Sequence, residues 1–163
     1  FEEFQVGEKV VTRGRTVTEA DIVNFASVSG DWYPLHTNIE FAKGSRFGER
    51  IAHGMLVLSL ATGLWSPEPL SQWAFIAFYG MDRVRFTAPV KIGDTLHVEL
   101  EVIETQDKDE HGGVVNFNHL VKNQGGETVS VCILKLLIGK SFCQRQKGGE
   151  GNYISSICPK GKY

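Results

Sequence analysis

The stretch "IAHGMLVLSLATGLW", residues 51–65, decides the fold. It is apolar on nearly every side, lacks a β-branched majority, and has Gly54 and Gly63 as its turn residues. A run of this kind predicts a helix buried all round rather than one lying on a surface. Gly54 falls near its N-terminus and "SPEPLSQ" (66–72) ends it. Its apolar part, "MLVLSLATGLW", is about half a bilayer span, so no membrane crossing is expected.

Beyond residue 72 the periodicity changes. "WAFIAFYGMDRVRFTAPV" (73–90), "DTLHVELEVIETQ" (94–106), "GVVNFNHLVKNQ" (113–124) and "ETVSVCILKLLIG" (127–139) are rich in Val, Ile, Phe and Thr. In the second, Leu96, Val98, Leu100 and Val102 alternate with Thr95, His97, Glu99 and Glu101, the signature of a half-buried strand. "KIGD", "KDEHGG" and "NQGGE" are turns, and the order predicts antiparallel meandering pairs.

Ahead of the apolar run, "VGEKVVTRGRTV" (6–17) reads as an entry turn and a β-rich run. "TEADIVNFASVSG" (18–30) reads as a helix, with Thr18 and Asp21 as a capping box and Gly30 as its stop. Ile22, Phe25, Ala26 and Ser29 share one face. "NIEFAKGSRFGER" reads as a short helical turn followed by a polar loop. Five β-like runs and one helix too apolar for a surface predict an α+β fold, a single antiparallel sheet curled around that helix. The edges and outer face of such a sheet need cover, so a homodimer is expected. The domain is placed at 1–138, with 139–163, Gly/Lys/Gln-rich and aperiodic, as a C-terminal extension that "YISSI" docks back.

Length, 163 residues, suits one domain, and 42% hydrophobic with 22% charged residues is the balance of a soluble globular chain. A formal net charge of −2 without a Lys/Arg run argues against nucleic acid as a partner. No signal peptide opens the sequence, which begins at Phe1. Cys132, Cys143 and Cys158 have no metal spacing, and their odd number favours reduced thiols in the cytoplasm. No metal is expected. P-loop, GxGxxG and GxSxG motifs are absent.

The chemistry-bearing stretch is "SGDWYPLHTNIEFA" (29–42), where Asp31 and His36 flank a loop stiffened by Pro34. Hydration of a C=C bond conjugated to a carbonyl needs an activated water, a proton for the α-carbon and donors for the enolate oxygen. An Asp and a His facing one water supply the first two. Gly54 supplies the third from a free N–H at the start of the buried helix. By residue type alone, Asp31 as a turn cap and His36 as a satisfied loop histidine stand beside that reading. His53 either shapes the oxyanion site or fixes a loop by hydrogen bonding. His119, alternating with Val115, Phe117 and Val121, reads as a core or interface histidine.

Taken together, "SGDWYPLHTNIEFA", "IAHGMLVLSLATG" and "RFTAPVKIGDTL" resemble the MaoC-like family of (R)-specific enoyl-CoA hydratases over most of residues 4–138. The resemblance implies a hotdog fold in homodimers and reversible syn addition of water to a trans-2-enoyl thioester, giving the (R)-3-hydroxyacyl product. It implies that Asp31 and His36 hold the catalytic water and that the Gly54 backbone polarises the thioester carbonyl. Thr62 matches a position near the pair where serine is frequent. Tyr33, His53, Met55 and Thr62 are expected against substrate. The acyl-CoA thioester is the expected partner, with no cofactor beyond that CoA. Lys43, Arg46, Arg50, Arg83, Arg85 and Lys91 are candidates for its phosphates. One departure stands out: Tyr33 occupies the position of the motif's Asn, and is expected to line the acyl or pantetheine channel. A hotdog thioesterase and a non-catalytic acyl-thioester binding protein are the alternative functions.

Overall fold

The structure is a computed structural model and describes residues 1–65 and 75–140. Among the described residues the elements are, in chain order, β1 (Lys9–Val11), β2 (Arg15–Thr16), α1 (Glu19–Ser29), α2 (Pro34–Thr37), α3 (Ile39–Lys43), α4 (Gly54–Trp65), β3 (Phe75–Phe86), β4 (Thr95–Asp107), β5 (Gly112–Lys122) and β6 (Thr128–Gly139). The helix stop at 66–72, the first residues of the 73–90 run, and the C-terminal extension beyond Lys140 lie outside the described residues.

The sheet runs in the order β1-β4-β5-β6-β3, with β2 also on β4, and every pairing is antiparallel. Leu96, Val98, Leu100 and Val102 of β4 are buried as their alternation predicts, and meet Leu56, Val57, Ala61, Leu64 and Trp65 of α4 in one core. Val115 and Phe117 of β5 and Leu134, Leu136 and Ile138 of β6 complete it. The sheet thus wraps the apolar helix, as the sequence requires.

Three expectations need correcting. The meander holds for β4, β5 and β6, but β3 pairs with β6 and not with β4. The "KIGD" connection is therefore no hairpin. Its segment leaves the sheet and is tied to distant strands of chain, by Ala52 N–H to Val90 O (2.7 Å), Val17 N–H to Asp94 O (2.8 Å) and Gly93 N–H to Val17 O (2.8 Å). The first β-run is split, because the Thr12 hydroxyl takes the Val98 N–H at 2.9 Å and interrupts the ladder between β1 and β2. Finally, α4 is not buried all round. Met55, Ser59 and Gly63, spaced four apart, form an outward row, and Met55 is 60% exposed.

Candidate active site

The site grows from how α1 ends and α4 begins. Thr18 caps α1 and the reciprocal bond from its own N–H to Asp21 is present, so the capping box forms as read. Gly30 closes the helix in the left-handed region, φ 75°, donating to Ala26 O at 2.9 Å. The chain then turns at Asp31, whose Oδ1 accepts the Tyr33 N–H at 3.2 Å. Among the described residues no hydrogen bond falls on Asp31 Oδ2.

His36 stands on a short helical turn rather than in a loop. Pro34 occupies the first helical position and Tyr33 has the extended backbone (φ −54°, ψ 133°) that a following proline imposes. His36 Nδ1 lies 2.8 Å from the Ile51 carbonyl oxygen. A carbonyl only accepts, so Nδ1 donates, and the neutral ring carries its lone pair on Nε2. Ile51 is held in turn by a bridge to Lys91.

His53 is buried, 2% exposed, and its Nε2 donates to the Asp31 main-chain oxygen at 2.9 Å. Its ring stacks on His36 with centroids 3.9 Å apart and planes at 28°. One carboxylate oxygen of Asp31 and one ring nitrogen each of His36 and His53 lie within 4.8 Å of one another. One water making two hydrogen bonds of about 2.8 Å spans such a gap. A metal fits less well: it bonds in the plane of each imidazole, and two stacked, nearly parallel rings do not aim at a common point.

α4 opens at Gly54, and the first helical bond is Val57 N–H to His53 O at 3.1 Å. Among the described residues nothing accepts from the Gly54 N–H, one of the orphan donors at the positive end of the helix. The Phe86 ring lies against it, since a Cβ built on Gly54 would come 2.7 Å from Phe86 Cε2. Met55 is exposed beside it. Tyr33, 55% exposed, sets its ring edge-on to His36 (6.2 Å) and to Phe41 (6.0 Å). Thr62 lies two turns along α4, about 12 Å from its start by helical rise, with its hydroxyl donated to Leu58 O at 3.0 Å. The structure thus gathers Asp31, Tyr33, His36, His53 and Gly54, and gives Thr62 no hydrogen bond to them.

Of the cationic candidates, Arg50 is already clamped on Glu19 by two bonds of 2.7 and 2.5 Å, which hold the Glu19 carboxyl below its ordinary range. Lys43 pairs with Glu40 at 2.8 Å and Lys91 with Glu49 at 2.7 Å. Phe86 and Ile51 are site residues the sequence reading did not single out. One acts through a ring, the other through a main-chain oxygen, and no polar signal marks either.

A family model described as "MaoC like domain" matches residues 3–123. The chain belongs to the MaoC-like family. Among relatives, "Protein MaoC" of Klebsiella aerogenes is 48% identical over 100 residues, 61% of this chain and 29% of that protein. The (R)-specific enoyl-CoA hydratase of Rhodospirillum rubrum is 36% identical over 105 residues, 63% of this MaoC-like chain and 68% of that protein. The monoamine oxidase regulatory protein of Archaeoglobus fulgidus superposes with a TM-score of 0.82 at 49% identity, covering 86% of this chain and 94% of that one. The sheet around α4 is accordingly the hotdog fold of the MaoC-like dehydratases. Among the described residues no helix is long and apolar enough to cross a membrane.

Proposed function

We propose that the chain is a hydro-lyase, adding water reversibly to a trans-2-enoyl-CoA to give the (R)-3-hydroxyacyl-CoA. The observation that carries this reading is the meeting of a carboxylate oxygen of Asp31 and a ring nitrogen of His36 within 4.8 Å, next to the N-terminus of α4. In this reading the thioester oxygen accepts the Gly54 N–H, which draws electron density from the conjugated C=C. A water sits between Asp31 Oδ2 and the bare Nε2 of His36. Its oxygen bonds to the β-carbon, the pair takes up one of its protons, and one proton is delivered to the α-carbon. The negative charge that gathers on the thioester oxygen between these events rests at the positive end of the helix. No cofactor beyond the substrate's CoA takes part.

Relatives named as dehydratase and hydratase support the reaction class. Tyr33, Met55 and Thr62 are assigned to the acyl and pantetheine path. The pair works in a homodimer, because β3 ends the sheet and exposes Phe75, Ile76, Phe78, Tyr79 and Phe86. Sedimentation at twice the chain mass checks this, and a monomer at micromolar concentration refutes it.

The test is a turnover screen across enoyl-CoA chain lengths, following hydration and CoA release in parallel. Hydration by the native chain is expected, with Asp31→Asn and His36→Gln each losing about 10²- to 10⁴-fold. Activity indifferent to both changes would falsify the roles. A regulatory name attaches to one similar structure and favours a second reading, a binding protein without turnover. Tight acyl-CoA binding with neither hydration nor CoA release supports that reading, and CoA release from saturated acyl-CoA supports a thioesterase.

A further inference from the structure

We propose that His53 is a positioning residue for the acid/base pair, holding Asp31 by its main chain and His36 by its ring. One side chain touches both members: Nε2 donates to Asp31 O at 2.9 Å, and the ring lies on His36 at 3.9 Å. Its peptide runs directly into Gly54, and its carbonyl accepts the first helical bond of α4. Phe25 of α1 packs against the same ring at 5.1 Å. His53 therefore links the ends of α1, α2 and α4 at the point where the three reactive groups meet.

Packing alone does not account for this residue. The bond to Asp31 fixes the hydrogen on Nε2, which leaves Nδ1 bare in the neutral ring, and Nδ1 is buried without a hydrogen-bond partner. An orphaned buried nitrogen destabilises a fold, and an aliphatic side chain of similar size would fill the space without it. What an aliphatic residue lacks is the donor for Asp31 O and the flat face for His36. Both restrict reacting groups to one geometry before substrate arrives, which is where misplacement is most costly.

Two substitutions separate the two contacts. His53→Gln keeps an amide N–H for Asp31 O and loses the ring; His53→Phe keeps a ring and loses the donor. The activity arm rests on the hydratase reading above. There, each variant is expected to lower kcat on the order of tenfold or more while KM stays within about twofold. Unchanged kcat in both, or a raised KM at native kcat, overturns the proposal. The second arm needs no turnover: nitrogen-15 spectra of the His36 ring show the Nδ1–H tautomer that the Ile51 carbonyl sets, with shifted ring resonances in His53→Gln, where the stacked face is lost. Identical His36 spectra in native protein and both variants overturn it. Shifted spectra in a protein that hydrates nothing uphold the positioning role and sink the hydratase reading alone. Should neither variant fold, the native protein still decides: a His53 Nε2–H protected from solvent exchange is expected, and a rapidly exchanging one refutes the proposal.

Discussion

At the scale of single residues, the site depends on a residue with no side chain. Gly54 starts α4 under the Phe86 ring, and a methyl group there meets Cε2 and Cζ at 2.7 and 2.8 Å. The obstacle is a ring on a half-exposed side chain and not backbone, so it can be moved. Gly54→Ala is expected to fold and to lose on the order of tenfold or more in kcat, because ring and helix start must separate at the proposed oxyanion position. Adding Phe86→Leu should restore part of that loss, and steady-state kinetics of the double variant checks it. Equal kinetics for Gly54→Ala and native protein would remove Gly54 from the machinery. The two residues couple because they touch.

At the scale of elements, α1 aims the loop that carries Asp31. Its stop, Gly30, has φ 75° with open space where a Cβ would go. The cost of a side chain there is conformational alone. Gly30→Ala should destabilise the protein by about 1 kcal/mol, read as a lowered urea midpoint at unchanged slope. A midpoint equal to native would show that the turn carries no such strain. Much of this scale was legible in the sequence. The capping box, the Gly30 stop and the alternation of β4 are local patterns, and local patterns survive folding. The pairing of β3 with β6 was not legible, because it depends on bonds from Ala52, Val17 and Gly93 to residues far along the chain. The α4 row of Met55, Ser59 and Gly63 escaped for a related reason: apolar character says a face can be buried, and not whether this chain buries it.

At the scale of the whole molecule, the core contains a histidine that must stay uncharged. His119 on β5 is fully buried opposite Cys132, and burial pushes its pKa down to about 4. The unfolded chain takes up this proton near pH 6.5 and the folded one only near 4. The contribution is therefore complete above pH 6.5 and is lost as pH falls from there toward 4, by up to about 1.4 kcal/mol per unit. Denaturant titrations at stepped pH should show this slope, and His119→Leu should flatten it; an identical slope in that variant would refute the assignment. The grouping of the candidate site residues was partly legible at this scale too. Asp31, His36 and Gly54 stood out as letters, and the structure gathers them, whereas the groups that orient them did not. Those groups are the Ile51 carbonyl and the Asp31 carbonyl. Being main chain, they are supplied by whatever residue the position carries. Substitution scanning would pass over Ile51 as silent, and lineages can exchange its side chain without touching the bond that sets the His36 tautomer. Only an amide-to-ester change at Ala52, which weakens the Ile51 carbonyl, or at Gly54, which deletes its N–H, would expose how much of this site is written in backbone.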